Sequence, residues 1–89
     1  MKRLILALIL LASPAAAADV CDDLWFTRNL IMDRAGYCFG SALGQAVFDN
    51  GNCIGKSVSL STQLQRQVAE IRELEKQIPC KVDTARTRL

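Results

Sequence analysis

The chain contains no histidine. Without an imidazole base, Ser–His–Asp and Cys–His hydrolytic arrangements are excluded, as are zinc sites that use histidine ligands. Its four cysteines, Cys21, Cys38, Cys53 and Cys80, include no Cys-x-x-Cys pair. That absence argues against a zinc ribbon and against a thiol–disulfide exchange site, so neither a metal nor a cofactor is expected. No apolar run is long: the stretch Leu4 to Leu11 covers eight residues. As a helix it would span about 12 Å, against a hydrocarbon core of roughly 30 Å, so stable membrane insertion is not expected. An excess of basic charge is also missing. Without Lys2 and Arg3, nine of the eleven basic residues remain, facing nine acidic ones. Nucleic-acid binding needs a clustered basic face, which this balance does not supply.

What is present begins with an export signal. Lys2 and Arg3 make a short cationic start before the apolar run, Ala12-Ser13-Pro14 interrupts it, and Ala15 to Ala18 supply small side chains. Ala16-x-Ala18 fits the pattern cut by signal peptidase, which places cleavage between Ala18 and Asp19. Cys21 lies close by, but Ala18, Asp19 and Val20 precede it instead of the leucine and small residues that lipidation uses. The expected product is periplasmic or secreted.

Roughly seventy residues then remain, too few for core burial alone to give comfortable stability. An even cysteine count in a small exported chain reads as a disulfide framework. Asp22 to Ala35 reads as a first helix, with Asp22 or Cys21 at its cap and Gly36 as a left-handed stop. Ser41 starts a short second helix through Phe48, and Asp49-Asn50-Gly51-Asn52 is a turn signal. The longest helix starts within Ser59 to Thr62, where a Thr62–Gln65 capping box competes with the preceding serines, and Pro79 ends it. Its apolar stripe is Leu60, Leu64, Val68, Ile71, Leu74 and Ile78. The expected fold class is therefore all-α. It is a small disulfide-stapled domain of two antiparallel main helices with a short helix and loop between, preceded by a signal peptide. The divisions are 1–18 for the signal peptide, 19–80 for the domain and 81–89 for a flexible tail.

Helix length discriminates among disulfide pairings. The first helix is about 20 Å long, so Cys21 and Cys38 at its two ends cannot meet. Antiparallel packing pairs Cys21 with Cys80 and Cys38 with Cys53. Pairing Cys21 with Cys53 requires parallel helices, a less simple course for the connection. One charge lies within each apolar stripe: Arg28 among Leu24, Trp25, Ile31, Met32 and Ala35, and Glu75 between Ile71 and Ile78. From a Cys21–Cys80 bridge, Arg28 is about 10.5 Å along one helix and Glu75 about 7.5 Å along the other. The two are expected to form a partly buried ion pair, because a buried guanidinium needs a partner to offset its desolvation.

The segment from Leu24-Trp25-Phe26-Thr27-Arg28-Asn29 to Arg34-Ala35-Gly36-Tyr37-Cys38-Phe39 resembles the YARHG domain, a small extracytoplasmic bacterial module. It is similar, more closely, to four-cysteine exported proteins of the same general pattern. The shared positions are Arg28-Asn29, Ile31, Arg34, Gly36-Tyr37, Phe39, Ser41, Leu43 and Phe48, in the first half of the mature chain. The five residues that name the domain stand here as Met32-Asp33-Arg34-Ala35-Gly36, of which Arg34 and Gly36 match. The Trp-Tyr near the end of the motif is replaced in its region by Asn52-Cys53. The resemblance implies location and helical character, and it carries no chemistry with it.

Gly51-Asn52-Cys53-Ile54-Gly55-Lys56-Ser57 has three residues between its glycines where a phosphate-binding loop needs four, and no strand precedes it. Asp22 and Asp23 read as helix-start charges, Asp33 as solvated and Asp49 as a turn residue. The reading of these residues is a non-enzymatic binding or accessory module of the cell envelope, whose partner is an envelope protein or cell-wall component. Irregular segments on a rigid scaffold commonly carry recognition, so the binding surface is expected on the Tyr37 to Asn52 loop, with Tyr37, Phe39, Asn50 and Asn52. The alternatives are a small envelope enzyme acting on glycans through carboxylates such as Asp33 and Asp49, and a structural component of an envelope assembly.

Overall fold

A computed structural model describes the backbone of residues 14–89 and the side chains from Asp19 onward. The cationic start and the apolar run of the expected signal peptide lie outside the described residues. Among the described residues three α-helices follow one another: α1 (Pro14–Arg34), α2 (Ala42–Val47) and α3 (Thr62–Gln77), with a 3-10 turn (Asn50–Asn52) after α2. The domain is all-α, and its only β-type contact among the described residues is an isolated bridge between Tyr37 and Gly55. Among those residues no helix is long and apolar enough to cross a membrane.

The first helix does not start at a cap on Cys21 or Asp22. It runs back to Pro14, because proline suits a first helical turn and the alanines that follow are the strongest helix formers. The Ala18–Asp19 bond lies within this helical stretch. The other end is set by glycine. Gly36 has φ of +97°, its N–H donates to the Asp33 carbonyl at 3.0 Å, and the Tyr37 N–H reaches the Met32 carbonyl at 3.1 Å. This paired closure lets the chain leave the helix with its last carbonyls satisfied.

Ser41 caps α2, its hydroxyl accepting from the Gly44 N–H at 2.9 Å. Phe39 packs so closely that a β-carbon on Gly44 would meet its ring at 2.8 Å. Asp49 caps the 3-10 turn through the Gly51 N–H. The cap of α3 falls on Ser61, which accepts from the Leu64 N–H at 3.2 Å. Gln65 reaches back to the Leu60 carbonyl at 2.8 Å, so no Thr62–Gln65 box forms.

The core is an aromatic cluster between α1 and the α2 segment: Trp25, Phe39, Leu43 and Phe48 are buried. Phe48 lies within 6.0 Å of Trp25, 5.4 Å of Phe26 and 4.9 Å of Phe39, ring to ring, and Tyr37 meets Phe39 edge-on at 5.0 Å. All five aromatic residues of the chain join this one network. Helix α3 packs along α1 on the outside of it, and Val68 is its one buried residue. The apolar stripe expected to face the core is therefore covered only in part. Leu64 and Ile71 are half-buried, and Leu74 and Ile78 remain exposed.

Two disulfides close the fold. Cys21 joins Cys80 with Cα atoms 5.4 Å apart, and Cys38 joins Cys53 at 5.0 Å. The tail expected to be flexible is docked. Val82 packs on the core cluster, and the Thr84 carbonyl accepts from the Leu43 N–H at 2.9 Å. That N–H lies in the first turn of α2 and has no partner within its own helix. Arg86 bonds Asp22 at 2.6 Å, giving the aspartate a tertiary role in place of the cap expected of it.

Gly36→Ala places a side chain in the left-handed region, where a β-carbon would also meet the Ile54 side chain at 2.8 Å. The expected cost is about 1–3 kcal/mol in urea unfolding. An unchanged midpoint would show that this turn does not set the path of the loop.

Candidate functional site

Arg28 and Glu75 face each other across the α1–α3 contact. Arg28 Nε donates to Glu75 Oε1 at 2.8 Å and Nη2 donates to Oε2 at 3.2 Å. The side chains are 20% and 14% exposed, enough desolvation for the paired geometry to matter. Trp25, Lys81, Val82 and Thr84 surround the pair in an open depression of about 330 Å³. Both guanidinium and carboxylate are spent on each other here. A ligand would have to displace that pairing to use either group.

The residues that carry the family resemblance hold the fold together. Asn29 is buried and donates to the Trp25 carbonyl one turn back at 2.8 Å. Gly36 makes the left-handed exit, Ser41 caps α2, and Phe39, Leu43 and Phe48 form the core.

The loop residues assigned to recognition divide in the same way. Phe39 is buried within the aromatic network and presents no surface. Asn50 grips the backbone of Phe39 at both ends: its Oδ1 accepts from the Phe39 N–H at 3.0 Å, and its Nδ2 donates to the Phe39 carbonyl at 2.9 Å. Both the oxygen and the nitrogen of its amide are engaged in closing the loop. Tyr37 is half-buried against Phe39, and Asn52 is exposed.

Among the described residues, the most exposed large apolar side chain lies just beyond this segment. Ile54 is 76% exposed, although its backbone is tied down: its N–H donates to the Gly36 carbonyl at 2.6 Å, and the Cys38 N–H donates to Gly55 at 2.8 Å. Sequence reading passed over Ile54 because a single apolar residue between turn residues has no periodicity to mark it. On the adjacent surface, Asp33, Asp49, Asn52 and Cys53 border a second depression of about 320 Å³. One oxygen of Asp49 is engaged by the Gly51 N–H at 2.9 Å. Lys56, in the glycine-rich stretch, is exposed, and no helix begins there to receive a phosphate. Among the described residues no group of three or more potential ligands could hold a metal ion.

Removing either Arg28 or Glu75 with alanine leaves the other charge partly buried without its partner. Each single change is expected to cost about 1–3 kcal/mol, reduced from the fully buried case by the remaining exposure. Arg28→Met with Glu75→Leu should recover most of that loss. A double-mutant cycle in urea with coupling below about 0.5 kcal/mol would show that the pair does not join the helices.

No curated protein and no solved structure matches the chain. The model of the YARHG domain matches residues 2–76, a longer span than the motif residues alone suggest. That span takes in all of α1 and α2 and all but the last residue of α3, well over half of the sequence. The chain belongs to the YARHG domain family.

Proposed function

We propose that the chain is an exported, non-enzymatic recognition module of the bacterial cell envelope. It binds an envelope protein or a cell-wall component through the loop end formed by Tyr37, Asn52 and Ile54, and acts in the periplasm or after secretion. Two disulfides suit an oxidising compartment outside the cytoplasm, which supports that setting.

The observation that carries the reading is Ile54. Its backbone is held by two neighbouring bonds and by the adjacent Cys38–Cys53 bridge, yet its side chain stands 76% exposed. A lone exposed apolar side chain is ordinary on a mobile loop. On a braced loop it loses little entropy when covered, which is the economy a recognition surface uses.

The test is crosslinking capture from intact envelopes, with the oxidised protein as bait. A specific partner is expected with the unaltered chain and lost with Ile54→Asp, while the melting temperature of the variant stays unchanged. Capture that survives both Ile54→Asp and reduction of the disulfides would overturn the reading.

A second reading is favoured by one feature: Asp33 and Asp49 border the same depression. Paired carboxylates are the chemistry of glycoside hydrolysis, with one as acid and the other as base or nucleophile. On that reading the oxidised protein turns over an envelope glycan, and Asp33→Asn abolishes turnover while Ile54→Asp does not. No turnover across a panel of cell-wall glycans would dismiss it.

A further inference from the structure

We infer that Asn50 is a latent deamidation site, held closed by the fold and gated by the Cys38–Cys53 disulfide. Asn50-Gly51 is the one asparagine–glycine pair in the chain; Asn29 precedes Leu30, and Asn52 precedes Cys53. Glycine leaves the following backbone nitrogen unhindered, which makes this pair the most reactive of the three.

The reaction needs the Gly51 nitrogen to attack Asn50 Cγ. A C–N bond forms, the Cγ–Nδ2 bond breaks and ammonia leaves, giving a cyclic imide. Water then opens the ring at either carbonyl, leaving aspartate or isoaspartate. In the folded chain the two reacting groups face different partners. The Gly51 N–H is donated to Asp49 at 2.9 Å, and the Asn50 amide is clamped on Phe39 through both its oxygen and its nitrogen. The 3-10 turn itself is closed by the Cys53 N–H on the Asn50 carbonyl at 3.2 Å. Attack therefore requires both the clamp and the turn to open. Phe39 and Asn50 lie inside the loop that Cys38–Cys53 closes, so that bridge keeps them in reach of each other.

The product cannot restore the clamp. Nδ2, the donor to the Phe39 carbonyl, becomes a carboxylate oxygen that repels it, next to the existing charge of Asp49. Isoaspartate also inserts a methylene into the backbone of the turn. An external dithiol opens the bridge by exchange, leaving Cys38 and Cys53 as thiols and itself as a disulfide. Once followed by deamidation, that opening leaves a permanent change at the base of the loop that presents Ile54.

The experiment follows aspartate and isoaspartate at Asn50 by peptide-mapping mass spectrometry at mildly alkaline pH. Its samples are the oxidised chain, the reduced and alkylated chain, and a synthetic peptide spanning residues 48–54. It also includes the variants Cys38→Ser/Cys53→Ser and Cys21→Ser/Cys80→Ser. The oxidised chain should react on the order of tenfold or more slowly than the peptide, the factor that an opening cost of about 1.4 kcal/mol imposes. Each rate is read against the unfolded fraction of the same sample, measured by urea titration. The reduced chain should approach the peptide rate. Cys38→Ser/Cys53→Ser should react faster than its unfolded fraction accounts for, and Cys21→Ser/Cys80→Ser no faster. Peptide-like reaction in the oxidised chain overturns the protection. A rate in Cys38→Ser/Cys53→Ser that its unfolded fraction accounts for, or an excess in Cys21→Ser/Cys80→Ser, overturns the gate.

Discussion

The Cys21–Cys80 bridge sets the register on which the rest of the molecule depends. It joins the α1 side of the domain to the end of α3 and holds the two long helices antiparallel. From that point Arg28 lies two turns along α1, about 10.5 Å, and Glu75, whose carbonyl accepts from the Cys80 N–H at 2.6 Å, lies in the last turn of α3. Their paired hydrogen bonds then join faces that share little apolar area, since Val68 is the only buried residue of α3. Closing a loop of this length removes roughly 4 kcal/mol of unfolded-state entropy. In a domain this small, such a contribution is comparable with the net stability itself.

The second bridge serves a different purpose. Cys38–Cys53 encloses α2, the Phe39 and Phe48 rings and the Asn50 clamp, so it holds the core segment against α1. With only five aromatic residues, the chain has material for one buried network, and Phe48 at its centre uses nearly all of it. Helix α3 consequently keeps Leu74 and Ile78 at the surface. The docked tail adds a partner for the start of α2 through Thr84, and an ion pair to α1 through Arg86.

These assignments separate structure from recognition. Most positions shared with the YARHG family, among them Arg28, Asn29, Gly36, Phe39, Ser41, Leu43 and Phe48, are occupied with pairing, capping, turning and filling. Side chains committed to the interior cannot also contact a partner. Among the described residues the surface keeps Ile54, outside the motif, as its most exposed large apolar side chain.

Local rules made much of the fold legible in the sequence. Gly36 is a stop because glycine enters left-handed backbone without strain, and Ser41 is a cap because its hydroxyl reaches an unpaired N–H. Helix length and spacing were enough to favour the Cys21–Cys80 pairing and to bring Arg28 opposite Glu75. The candidate site was less legible. Phe39 and Asn50 have the composition of a binding loop, and only packing turned one into core and the other into a backbone clamp. The docking of residues 82–86 and the exposure of Ile54 were likewise decided by tertiary structure. Caps, turns and helix stripes involve neighbours a few residues apart, so the sequence states them directly. Burial of a loop residue depends on partners brought together from distant parts of the chain, which exist only once the disulfides and the aromatic core have closed.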